Sequence, residues 1–183
     1  MNLTVTVRKT GKRLLLLTAI LAVILIAASC ASSASTAEPG KTTTTQAQFS
    51  VTISPPGKDV EAGESFTLDV VINTEIPSRG AQCLLTYDAT KIYCTAVTEG
   101  NFYKDWAEAN GCSTLIVPAP VIDNENGKVA IAGVAVLGTT KGGAKGKGIL
   151  FTYHFDAIAS GKISPTLSNV IVSDASGNNI QGK

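Results

Sequence analysis

From Phe49 onward, apolar residues fall on every second position, and this period of two is what most limits the fold of the chain. Phe49, Val51 and Ile53 alternate with Ser50, Thr52 and Ser54. Phe66, Leu68, Val70 and Ile72 alternate with Thr67, Asp69, Val71 and Asn73. The same holds for Cys83, Leu85 and Tyr87 against Gln82, Leu84 and Thr86, and for Phe151, Tyr153 and Phe155 against Thr152, His154 and Asp156. Successive side chains of a strand point to opposite faces, so each run has one face to bury and one to leave in water. Val129–Leu137 is apolar almost throughout and suits a central strand buried on both faces. Leu167–Val172 and a short run at 179–181 complete the set. Gly, Pro, Asn and Asp separate the runs, as at Pro55-Pro56-Gly57, Glu61-Ala62-Gly63 and Asn124 to Gly127. About nine short strands in about 135 residues predict an all-β sandwich with enough interior to fold without staples. The one helix-like piece is 102–110, where Phe102 and Trp106 are four residues apart.

The chain before Phe49 reads differently. Arg8, Lys9, Lys12 and Arg13 form a basic start, and Leu14 to Ala28 follow with no charge. A membrane span needs about 20 apolar residues, so this shorter stretch reads as the hydrophobic region of an export signal, residues 1–29. It runs into Ala27-Ala28-Ser29-Cys30, which resembles a bacterial lipobox, with Ala27 where Leu, Val or Ile is usual. Acylation of Cys30 is therefore expected, because two or three acyl chains anchor stably where one does not. Ordinary signal cleavage near Ser29 is the alternative. Residues 30–48, rich in Ser, Thr and Ala, read as a tether. Four of the 15 basic residues and none of the 14 acidic ones lie in residues 1–29, so the net +1 divides into a cationic leader and a mildly acidic body. That balance argues against a nucleic-acid binder.

The order of signals along 49–182 resembles the cohesin domain. The residues that carry it are Val51-Thr52-Ile53, Val60-Glu61-Ala62-Gly63-Glu64, Phe66 to Ile72, and Gly80 to Asp88 with its Thr86-Tyr87-Asp88 corner. Ile92 to Gly100, Gly127-Lys128-Val129-Ala130-Ile131, and Gly146 to Ile149 leading to Phe155 continue the pattern. The resemblance implies a nine-stranded jelly-roll β-sandwich over 49–183, of the single-domain type found on secreted or lipid-anchored proteins. It also implies a non-catalytic role in protein recognition, with a dockerin-like partner on the flat face formed by the third, fifth, sixth and eighth strands. The outward positions of the third strand are Gln82, Leu84 and Thr86, and Leu84 is apolar where parity calls for a polar residue.

Other candidate sites are weaker. Gly138 to Gly148 suggests a phosphate loop, but Lys141 stands where that motif needs Gly and Gly148 where it needs Ser or Thr, so a loop is expected. Asp123-Asn124-Glu125-Asn126-Gly127 has its Gly one place early for an EF-hand and reads as a turn. His154 is the one histidine and cannot make a zinc site unaided. No nucleophile elbow or tuned carboxylate pair is present, so no catalytic residue, metal or cofactor is assigned. Phe102, Tyr103 and Trp106 either cap the core or offer Tyr103 and Trp106 as a platform for sugar rings. Beyond Cys30 there are three cysteines. A Cys94–Cys112 disulfide would pin the aromatic insert, with a Cys83–Cys94 bond or none as alternatives.

Three functions compete on this reading: a membrane-tethered, extracellular protein-recognition module, a polysaccharide-binding module, and a structural subunit of the cell envelope.

Overall fold

The computed structural model describes residues 48–138, 142–180 and 182. The expected leader, Cys30 and nearly all of the tether lie outside these residues, as do 139–141 of the glycine-rich run and Gln181. The elements are β1 (Phe49–Ser54), β2 (Lys58–Val60), β3 (Ser65–Thr86), β4 (Ile92–Glu99), α1 (Asn101–Ala109), β5 (Ser113–Ile116), β6 (Ile122–Asp123), β7 (Lys128–Leu137), β8 (Ala144–Ala157), β9 (Gly161–Ile163) and β10 (Thr166–Asp174). The chain is all-β apart from one helix of 9 residues.

The two runs expected as separate strands, Phe66–Ile72 and Gln82–Tyr87, belong to one strand of 22 residues. Its N-terminal half pairs with β1 on one side and with β8 on the other, and β8 pairs in turn with β4. Its C-terminal half pairs with β10 and β7, and β7 carries β5 and β6. The register against β8 breaks between Thr74 and Ser78, which is where the strand leaves one layer for the other. A short β2–β9 ladder closes one end.

Period two fills the interior. Leu68, Val70 and Ile72 from the first half meet Phe151, Tyr153 and Phe155 from β8, while Cys83 and Leu85 sit with Val129, Ala132 and Val134. The layers touch through side chains: Cys83 Sγ lies 3.8 Å from the Tyr153 hydroxyl, and the Tyr87 and Phe155 rings meet edge to face at 5.1 Å. Each fully buried large side chain contributes about 1.5–3 kcal/mol of transfer free energy.

Helix α1 caps one end. Phe102, Tyr103 and Ala107 form its buried face. Close approach explains two glycines: a Cβ on Gly100 would lie 2.2 Å from the Ile149 carbonyl oxygen, and one on Gly148 would lie 2.9 Å from Phe102. No described helix is long and apolar enough to cross a membrane.

Candidate functional site

The alternation in the second half of β3 sets up the site. Cys83, Leu85 and Tyr87 are buried, so Gln82, Leu84 and Thr86 point outward, each half-covered by its neighbours. Pairing builds the rest of this outer face. Gln82 lies between Gly133 of β7 and Ile171 of β10, and Leu84 lies opposite Ser168. Thr86 lies between Lys128 and Thr166, and the two threonine hydroxyls share a hydrogen bond of 2.7 Å. Farther along, Gly80 faces Ala135, which is opposite Leu115 of β5, and Leu137 is opposite Ser113.

Two properties define the surface. Its centre carries small residues, Gly80 and Ala135, and the Val117–Pro118 segment packs over buried Gly133, where a Cβ would lie 2.3 Å from the Val117 carbonyl. It is also apolar: Leu115 is 46% exposed, Leu137 44% and Ile171 38%, with half-buried Leu84 among them. Charge is confined to its ends, where Lys128 pairs with Asp123 of β6 and Asp174 lies opposite Ser78. Such a face exposes apolar area to water. It is suited to covering by another surface.

Sequence parity found Leu84 but missed Leu115 and Ile171. β5 has only 4 residues, too few for alternation to stand out. In β10 the register shifts between Ser168 and Ile171, at Asn169 with φ 50°, so Ile171 turns outward and Val172 turns into the core.

The other candidates separate. Tyr103 is 2% exposed and donates its hydroxyl to Ser78 Oγ at 2.9 Å, so it cannot serve as a sugar platform. Helical spacing turned this ring inward with Phe102, and Trp106 packs half-buried against the same core. Cys83, Cys94 and Cys112 are free thiols in this structure, where no Cys94–Cys112 bond is present. Cys94 lies on β4 and Cys112 just before β5. Burial pushes the Cys83 and Cys94 thiols up to about 11.

The Asp123–Gly127 segment is a structural turn. Asp123 accepts from the Asn126 backbone and side-chain N–H groups, which holds its carboxyl below the usual range. Asn124 accepts from the Tyr87 hydroxyl and the Cys94 N–H and donates to the Cys94 carbonyl, so it ties the turn to β4. His154 lies on the other layer, within 3.2 Å of Thr98 Oγ1. Among the described residues no group of three or more His, Cys, Asp or Glu side chains is placed to hold a metal ion.

A model of the cohesin domain matches residues 51–183. No curated protein sequence matches the chain. Solved structures share its fold. The cohesin of a type I cohesin–dockerin complex from Clostridium thermocellum aligns with TM-score 0.55 at 13% identity, covering 74% of this chain and 93% of its own. The sixth cohesin of scaffoldin B from Acetivibrio cellulolyticus, solved with a Cel5 dockerin, gives 0.53 at 18% identity over 74% and 92%. A non-cellulosomal cohesin from the archaeon Archaeoglobus fulgidus gives 0.51 at 15% over 74% and 84%.

Proposed function

The chain belongs to the cohesin family, and from that premise we propose that it is a non-catalytic recognition module that binds a dockerin-like protein. The outer face of β5, β7, β10 and the second half of β3 is its contact surface. The observation that carries this reading is the set of exposed or half-buried apolar side chains Leu84, Leu115, Leu137 and Ile171 on this one face. Solved cohesins of the same fold have been captured with dockerins, which supports the class of partner. Residues 1–29 act as the export signal, Cys30 carries the lipid, and residues 30–48 hold the domain near the outer side of a membrane.

The test is calorimetry or biolayer interferometry of the chain against a panel of recombinant dockerins. Saturable one-to-one binding by at least one of them supports the reading. Failure with the whole panel, together with no captured partner among secreted proteins of the source cell, overturns it.

A further inference from the structure

A second surface lies where β4 meets β6. On β4, Tyr93 points outward and is 50% exposed, beside Val121, which is 63% exposed. With Ile122, Asp123, Asn124 and Glu125 they line an open groove of about 680 Å³, within the range of about 300–1,000 Å³ that small ligands occupy. The groove is rigid for a reason already described: the three hydrogen bonds of Asn124 weld its floor to β4 and Tyr87. A fixed floor lowers the ordering cost when a ligand arrives.

We propose that this groove is a carbohydrate subsite that takes a pyranose ring of a polysaccharide. Such a ring has a C–H face and a hydroxyl edge. The C–H face suits the electron-rich face of Tyr93 and the apolar Val121. The hydroxyl edge suits acceptors, and Glu125 stands exposed at the groove for that purpose. Asp123 accepts from Asn126 and feels Lys128, which leaves the exposed Glu125 as the acceptor open to the ligand. The platform therefore lies at Tyr93, in contrast to the buried Tyr103.

Native electrophoresis of the full chain, in mild detergent, through gels containing xyloglucan, mixed-linkage β-glucan, xylan or glucomannan tests the site. Retardation is expected in at least one gel. Tyr93→Ala should weaken it about tenfold, while Tyr93→Phe keeps the stacking face and stays retarded. Trp106→Ala should migrate like the parent chain. Circular dichroism of each variant checks that the fold survives. No retardation in any gel overturns the proposal, as does equal retardation of a folded Tyr93→Ala, or a loss in Tyr93→Phe as large as in Tyr93→Ala.

Discussion

The contact between Tyr103 and Ser78 joins the helix to the point where β3 changes layers, and its energy can be measured. Tyr103 is 2% exposed and Ser78 is 0% exposed. The phenol donates to Ser78 Oγ at 2.9 Å, and Ser78 donates onward to the Ala144 carbonyl at 3.2 Å. Burial pushes the phenol far above its ordinary range, so it stays a protonated donor. Ser78→Ala strands that buried donor and costs about 2 kcal/mol. Tyr103→Phe removes the donor but leaves Ser78 its bond to Ala144, and costs about 1 kcal/mol. If the two changes were independent the double variant would lose about 3 kcal/mol. Removing both partners also removes the stranded hydroxyl, so a loss of about 2 kcal/mol is expected, a coupling of about 1 kcal/mol. For a domain of this size about 1 kcal/mol moves Tm by about 4 °C. The three variants should therefore melt about 8, 4 and 8 °C below the parent. Thermal melts followed by circular dichroism, checked by urea titration, read this out. A double variant that melts at the sum of the single shifts, or a Tyr103→Phe variant as stable as the parent, would refute the reasoning.

Other outcomes follow from the structure and the sequence together. Leu84→Asp should weaken partner binding at least tenfold, because a Leu covered at an interface contributes about 1–3 kcal/mol. The melting temperature should barely move, since Leu84 faces Ser168 and solvent; a large fall in Tm with binding intact would contradict this. In a chain carrying Cys30→Ser, a thiol reagent should modify Cys112 quickly in the native state and reach Cys83 and Cys94 only in concentrated denaturant. A native chain with no fast thiol would argue for an oxidised pair. Burial raises those two thiols from 9.0 to about 11, so the unfolded chain gives up its protons first. Stability is full below a pH of about 9 and falls as pH rises toward about 11; Cys83→Ala should flatten that fall. Cys30→Ser should release the protein from membranes, and fractionation that still pellets the variant would count against lipid anchoring.

Much of the fold was legible because the signal is local. Phe49–Ile53, Phe66–Ile72, Gln82–Tyr87 and Phe151–Asp156 each alternate long enough to show their buried face, and the structure buries those faces. What stayed hidden depends on partners distant in sequence. Nothing local says that Phe66–Ile72 and Gln82–Tyr87 are halves of one strand, because Glu75-Ile76-Pro77 reads as an interruption. The structure carries the chain through that stretch, with Thr74 Oγ1 donating to the Ile76 carbonyl and accepting from the Ile76 N–H.

The candidate faces show the same division more sharply. Leu84 could be found because it breaks parity inside a clear strand. Ile171 could not, because its outward position exists only after Asn169 turns to positive φ and resets the alternation. The cysteines raise a related point. Cys94 and Cys112 are close in sequence and flank one insert, but between them the chain passes from β4 through α1 to β5, so sequence spacing alone does not set their separation. Tyr93 and Tyr103 complete the contrast. Both are tyrosines near the same insert, yet one lies on the outward parity of β4 and the other on the inward side of α1. A change of period from two to 3.6 within ten residues, from strand to helix, thus decides which ring meets solvent. A search for exposed aromatics in such a chain should fix the local period before it ranks the rings.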